Sequence, residues 1–470
     1  GADGRLVADE AGNVVHVTLL EKLLIPALSK ISNIVPRGGI WMNTQRPEWN
    51  DANNALVGFG LSMVTLAHLR HYIGLVDGIA ADLTDAHQVS TDVVTWVAAL
   101  TATLESHMEL VDAASVDDAD RQDVVRELGE AFGDYRARLY AHGPSSPGAL
   151  DPDLLRRFTS TALAHLDDAI RAAQRPDGLY DAYNVIGFSA DGREASVQRL
   201  PLMLEGQVAA ISSGVLSVDR VAQLMRRLYE SELYRQDVDS FVLYPAVTRS
   251  SFVDRNHVPR EAIEANALLR ELVEEGVEDV VVVDVAGDHP FNADFQNVAD
   301  VREALDRLAE GPMAALVDRH RADTLALFEE VFHHHEFTGR SSTMYAYEGI
   351  GSVYWHMVAK LLVAVQECIL EAPPGTDRTL LGEVTGWYER IRSGLGFNKT
   401  AAAYGAFPTD PYSHTPAHAG AQQPGMTGQV KEELLTRWAE LGLVVEDGTI
   451  RFTSALLRDR EFTVSEEVAV

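Results

Sequence analysis

Asp151-Pro152-Asp153-Leu154-Leu155-Arg156-Arg157-Phe158-Thr159-Ser160-Thr161-Ala162-Leu163-Ala164-His165-Leu166-Asp167-Asp168-Ala169-Ile170-Arg171-Ala172-Ala173-Gln174 reads as one amphipathic helix. Asp151 is a good N-cap, and Pro152 stands at the first helical position, where a missing N–H costs nothing. Behind them apolar residues recur at i, i+3, i+4 and i+7, which lines one helical face. The same template fits 16–32, 52–79, 87–113, 117–142, 203–235, 259–276, 298–310, 316–334, 350–371, 377–393 and 428–441. Pro259-Arg260-Glu261 and Asp377 mark two further helix starts. Successive amphipathic helices on short connections pack as antiparallel neighbours. The expected fold is therefore all-α, a toroid of concentric helices with a few short strands or hairpins at its ends.

Strand signals are sparse. Val280-Val281-Val282-Val283 and Phe241-Val242-Leu243-Tyr244 are short β-type runs, and Leu443-Val444-Val445 with Thr449-Ile450-Arg451-Phe452 reads as a hairpin across Glu446-Asp447-Gly448. No repeat of fixed period suggests a solenoid. Gly143-Pro144-Ser145-Ser146-Pro147-Gly148 is turn-rich but reads as a loop, so residues 1–470 are expected to form a single domain.

The bulk composition narrows the function. With 470 residues and 46% hydrophobic content there is material for a large core. A net charge of −31 repels phosphate backbones and anionic lipid, which argues against nucleic-acid and membrane partners and for neutral or cationic ligands. No apolar run approaches the roughly 20 residues of a membrane helix. The one cysteine, Cys368, precludes an intrachain disulfide and a Cys-type zinc site, which fits a reducing, cytoplasmic setting. Gly1-Ala2-Asp3-Gly4-Arg5 lacks an initiator Met and a signal-peptide apolar core, so the start reads either as processed or as the C-terminal part of a longer protein.

Two long segments break the helical rhythm, 36–54 and 397–428, and a shorter one spans 175–184. Long loops inside a compact domain are usually functional. These carry Trp41, Trp49, Tyr183, Phe397, Tyr404, Phe407 and Tyr412 among polar residues. An aromatic ring stacks on the C–H face of a sugar while carboxylates and amides bind its hydroxyls. Gln45-Arg46-Pro47-Glu48-Trp49-Asn50-Asp51-Ala52-Asn53-Asn54 concentrates such groups just before a predicted helix. Capping accounts for Asp51 alone but leaves Arg46, Glu48 and Asn50 unexplained. As a general acid, Asp51 needs burial or a like charge to raise its pKa, and Glu48 offers that charge.

Trp49-Asn50-Asp51-Ala52-Asn53-Asn54 resembles the Trp-Asn-Asp-Gly-Met-Asn motif of the cellobiose phosphorylase family and is similar to the Trp-x-Asp of glycogen-debranching glucosidase domains. The resemblance covers about ten residues. It implies an (α/α)6 barrel of the six-hairpin glycosidase type and makes Asp51 the general acid. Gly425-Met426-Thr427-Gly428 looks like the Thr-Gly with which cellobiose phosphorylases bind inorganic phosphate, and a helix N-terminus is a natural anion site.

Glu348 is the lone carboxylate of the glycine- and hydroxyl-rich stretch 338–352, which runs into Tyr354-Trp355-His356. It reads either as a first-turn Glu favoured by the helix dipole or as the base of an inverting glycosidase. The stretch 404–428 holds His414, His418, Gln422 and Gln423 among many Gly and Pro, either as a crossing loop or as a ligand site. Consecutive His333-His334-His335 point in different directions, and Pro416 spoils a helical pair of His414 and His418, so no metal site is expected. Leu204-Glu205-Gly206-Gln207 and 177–184 read equally as hydroxyl-binding groups and as ordinary turn and cap chemistry.

The function expected is hydrolysis of a glycosidic bond in an oligo- or polysaccharide, with Asp51 as acid and Glu348 as base. Trp49, Trp355, Tyr347 and Tyr183 would contact sugar rings, with Arg46, Glu48, Asn50, Asn54, Gln422 and Gln423 on hydroxyls. The first alternative uses inorganic phosphate as co-substrate, held by His414, His418, Thr427 and Gly428. The second is a non-catalytic glycan-binding or scaffold domain of a larger enzyme. Neither catalytic reading requires a further cofactor, and none of them sets an oligomeric state.

Overall fold

The computed structural model describes residues 8, 12–43, 56–245, 252–332, 353–395, 414–415, 430–446, 448–454 and 456–457. The chain divides into two compact units: Gly1–Asn43 with Gly58–Ala246 and Gly351–Val470, and Thr44–Val57 with Val247–Ile350.

In the first unit, helices α1 (Leu19–Ile31), α2 (Met63–Asp82), α3 (Thr91–Ser106), α4 (Asp118–His142), α5 (Pro152–Ala172), α6 (Leu204–Ser212) and α7 (Val218–Glu230) come first. The second unit contributes α8 (Phe252–Arg255), α9 (Arg260–Ala265), α10 (Ala267–Glu274), α11 (Val298–Ala309) and α12 (Ala314–Phe332). The chain then adds α13 (Trp355–Leu370), α14 (Arg378–Gly394) and α15 (Val430–Glu440) to the first unit. The sequence starts of α5 hold: Asp151 accepts from the Asp153 N–H, Pro152 is at the first position, and Leu155, Phe158, Ala162, Leu166, Ala169 and Ile170 are buried. This face packs on α2 and α3, while α6 packs against both α2 and α13.

The all-α toroid expectation is overturned. Helix accounts for 57% of the structure, but a curled, five-stranded antiparallel sheet makes the fold mixed α/β. Its strands are β1 (Ile34–Val35), β2 (Gly39–Trp41), β3 (Gly60–Ser62), β6 (Tyr183–Phe188) and β7 (Ala195–Arg199), paired in that order. The register runs Ile40↔Ser62, Ser62↔Tyr183 and Asn184↔Arg199. Val35, Leu61, Ile186 and Ala195 form its buried cluster, and α4 packs against β1 and β7. Gly39 permits the tight β2–β3 approach: its φ is +126°, and a Cβ there would meet the Ser62 backbone at 2.9 Å.

Strands also displaced predicted helix. β4 (His87–Ser90) pairs with β5 (Pro147–Leu150), so α3 begins at Thr91 rather than at 87. Buried Glu21 fixes that start by accepting from the Ser90 N–H at 2.8 Å and hydroxyl at 2.6 Å. Gly214, at φ +71°, divides 203–235, and Asn266 divides 259–276 by capping α10 through the Leu268 and Leu269 N–H groups. The terminal hairpin forms as read, β12 (Leu443–Glu446) with β13 (Thr449–Phe452). The described residues of the first unit also form two short pairs, β8 (Tyr234–Arg235) with β9 (Ser240–Phe241) and β10 (Val353–Tyr354) with β11 (His414–Thr415).

The described part of the second unit has its own core, in which Ile263, Leu268, Leu272, Phe291, Val301, Leu305 and Phe328 are buried. Phe291 and Phe328 meet edge-on with centroids 5.0 Å apart. Buried Asn256 holds Phe291 through both backbone groups, each at 2.8 Å. Among the described residues no helix is long and apolar enough to cross a membrane.

Candidate functional site

Arg46, Glu48, Trp49, Asn50, Asp51, Asn54, Tyr347, Glu348, His418, Gln422, Gln423, Thr427 and Gly428 lie outside the described residues. Their flanks are described. The stretch bearing Asp51 leaves the first unit after β2 and returns at β3, and its two ends are clamped together. The Met42 N–H donates to Gly60 O at 2.9 Å, the Gly58 N–H to Met42 O at 2.7 Å, and Trp41 Nε1 to Gly58 O at 3.0 Å. At the end of β3, Ser62 caps α2 by accepting from the Thr65 N–H.

The other two stretches meet. The chain after Glu348 enters β10, which pairs with β11 of the late stretch in the register Val353↔Thr415 and Tyr354↔His414. Next in the chain, Trp355 starts α13 and is 2% exposed, and Tyr183 of β6 is 1% exposed. These two rings sit in the core. Lys360 of α13 acts electrostatically on His68 of α2, and His71 of α2 on Glu367 of α13. Desolvation, then Lys360 and His71, push the His68 imidazole down, while burial and Glu371 push the Glu367 carboxyl up against the pull of His71.

Beside the β10–β11 pair, His356 of α13 meets Glu432 of α15, a pairing that no sequence motif signalled. His356 Nε2 lies 2.9 Å from Glu432 Oε1, and His356 Nδ1 lies 3.2 Å from the Tyr354 hydroxyl. Their separation of 76 positions left no periodic signal to join them.

Other polar residues are absorbed by the fold. Gln207 spans Tyr180, accepting from its N–H and donating to its carbonyl, each at 2.8 Å, and also donates to Met203 O. Asp181 is clasped by Arg175 at 2.9 Å and Arg199 at 3.1 Å; burial pushes its carboxyl up, and Arg199 followed by Arg175 pulls it back. The Cys368 thiol is pushed up to about 11 by burial and Glu371, which keeps it protonated at neutral pH. A cavity of about 430 Å³ opens between the start of α1, β4 and β5, lined by His16, Gln88, His142 and Ser145. Among the described residues no group of three or more His, Cys, Asp and Glu is placed to hold a metal ion.

Residues 249–335 match the family model of GH149 phosphorylase insertion domain 2. This relates the stretch to glycoside phosphorylases, and its bounds follow those of the second unit's described helices. The first unit is continuous across the interruption, since β9 lies against β10 on the two sides of it. No curated protein matches the chain.

Proposed function

We propose that this protein is a glycoside phosphorylase that cleaves an oligo- or polysaccharide with inorganic phosphate. The observation that carries the reading is the match of residues 249–335 to a phosphorylase insertion domain. The hydrogen-bonded entry of the late stretch beside Tyr354 supports it, because that stretch holds the groups suited to an anion.

In this reading Asp51 protonates the oxygen of the leaving sugar as its bond to the anomeric carbon breaks. A phosphate oxygen forms the new bond at that carbon from the opposite face, giving a sugar 1-phosphate and a shortened saccharide. Phosphate rests on His414, His418, Thr427 and Gly428, the last two at the N-terminus leading into α15, where unpaired N–H groups favour negative charge. Phosphate brings its own nucleophile, so Glu348 is not needed to deprotonate water. Arg46, Glu48, Trp49, Asn50 and Asn54 hold the sugar near the acid, with Tyr347, Gln422 and Gln423 on the other stretches.

Replacing the acid tests this. Asp51→Asn should lower phosphorolysis of a natural glycoside by about 10²- to 10⁴-fold, the usual contribution of a general acid. Cleavage of a glycoside with a good phenolate leaving group, which needs no protonation, should fall far less. Equal losses on both substrates would remove Asp51 from this role.

A further inference from the structure

Helix α15 is built inside out. Its side facing α13 carries Glu432 and Thr436, which are 6% and 2% exposed. Polar contacts tie that side down. Glu432 Oε1 meets His356 Nε2 at 2.9 Å, Gln366 Nε2 donates to Thr436 O at 3.0 Å, and the Tyr388 hydroxyl donates to Glu440 Oε1 at 2.6 Å. The opposite side carries Leu434, Leu435 and Trp438, with Leu441 just past the helix end, and these four are 50% to 67% exposed. Their spacing is that of one helical face. An amphipathic helix ordinarily turns such a face to the core and its polar residues to water.

The hairpin that follows repeats the inversion. In the register Leu443↔Phe452 and Val445↔Ile450, cross-strand partners share a face, as do residues two apart. These four apolar side chains therefore line one face, with Val444 and Arg451 on the other. Val445, Ile450 and Phe452 are 63% to 76% exposed. β12 lies against α15, and among the described residues no third strand joins the pair. A two-stranded hairpin is at best marginally stable in water and gains stability when its apolar face is packed.

The size and chemistry of this surface select its occupant. The seven exposed side chains leave on the order of 800 Å² of apolar area in water, above the roughly 300–600 Å² of the largest patch on a typical monomer. Each partner in a standard interface buries about 800 Å². None of the seven carries a charge. Interfaces between transient partners are about as polar as the rest of the surface, whereas homodimer interfaces are the apolar ones. A second copy of the chain brings the same patch, and a two-fold rotation makes that patch its own complement. A lipid surface fits less well, because a net charge of −31 repels anionic headgroups.

We infer that the outer face of α15 and the apolar face of the β12–β13 hairpin form the interface of a homodimer, with Trp438 as its main anchor. The inference does not depend on the reaction proposed above.

Sedimentation equilibrium of the full chain over a range of concentrations, paired with thermal melts, tests it on wild type, Trp438→Glu and Ile450→Thr. Wild type should sediment as two chains that separate on dilution. Trp438→Glu should raise the dimer Kd roughly 30- to 1,000-fold, the scale of losing a hot-spot aromatic. Its Tm should match that of the dissociated wild type, because the ring packs against a partner rather than its own core. Ile450→Thr keeps a β-branched residue in the strand and should raise the Kd by roughly 10-fold. A wild type that stays a single chain at every concentration overturns the inference, and a lower Tm in Trp438→Glu would then assign the face to another segment of the same chain. A dimer whose Kd neither variant changes is held together elsewhere and overturns the inference equally. If Trp438→Glu does not fold, Ile450→Thr decides, and a wild-type Kd there is contrary to the inference.

Discussion

At the scale of single residues, the described polar groups sort by whether their partners satisfy them. Gln207 and Asp181 are consumed by backbone and arginine partners, which turns the even reading of 177–184 and 204–207 toward structure. Gly206 shows how tight that packing is: a Cβ there would lie 2.7 Å from Tyr180 O and 2.8 Å from Ala182 N. Both contacts are backbone and cannot step aside. Gly206→Ala should therefore destabilise the first unit by about 1–3 kcal/mol, as overpacking does, read as a lower denaturation midpoint. His165 gives a pH signature. It is 8% exposed, its Nε2 donates to Leu104 O at 2.9 Å, and burial holds its pKa below the ordinary 6.5. The unfolded chain thus binds this proton more readily, so the contribution of His165 is complete above pH 6.5 and is lost as pH falls through the folded-state value. Equilibrium unfolding across that range should show His165→Gln losing less stability on acidification than wild type.

At the scale of elements, the helices were legible where a cap and a long amphipathic face agree, as at Asp151 and Asp377. The sheet was not. Its strands span two to six residues, too few for a period of 2 to be told from a period of 3.6, and β3 was absorbed into the predicted helix 52–79. What holds this sheet is equally remote in sequence. Arg37, at φ +54°, donates to Asp168 at 2.8 and 2.9 Å and to Ala113 O at 2.7 Å, and Asp168 also accepts from the Asp112 N–H. One carboxylate on α5 thereby anchors the β1–β2 turn. Asp168→Ala leaves a half-buried guanidinium unpaired and should cost about 3–5 kcal/mol, with hydrogen exchange accelerating first in β1 and β2. An unchanged exchange pattern would mean that the sheet does not depend on this anchor. Of the candidate site, the local chemistry of each stretch was visible, but the pairing of Tyr354 with His414 and the contact of His356 with Glu432 arise only from the chain's folding.

At the scale of the whole molecule, the second unit has a core that draws on its own residues, and its match to an insertion domain gives it natural bounds. A fragment covering 249–335 should be helical by circular dichroism and melt cooperatively; a featureless melt would show that it needs the rest of the chain. β9 and β10, on the two sides of the inserted stretch in sequence, lie against one another within the first unit. The central claim is that phosphate, rather than water, takes the sugar. Labelled inorganic phosphate supplied with a panel of oligosaccharides measures this directly. The account predicts label recovered in a sugar 1-phosphate and no cleavage when phosphate is withheld. Free reducing sugar released at the same rate with and without phosphate, and no labelled ester, would contradict it.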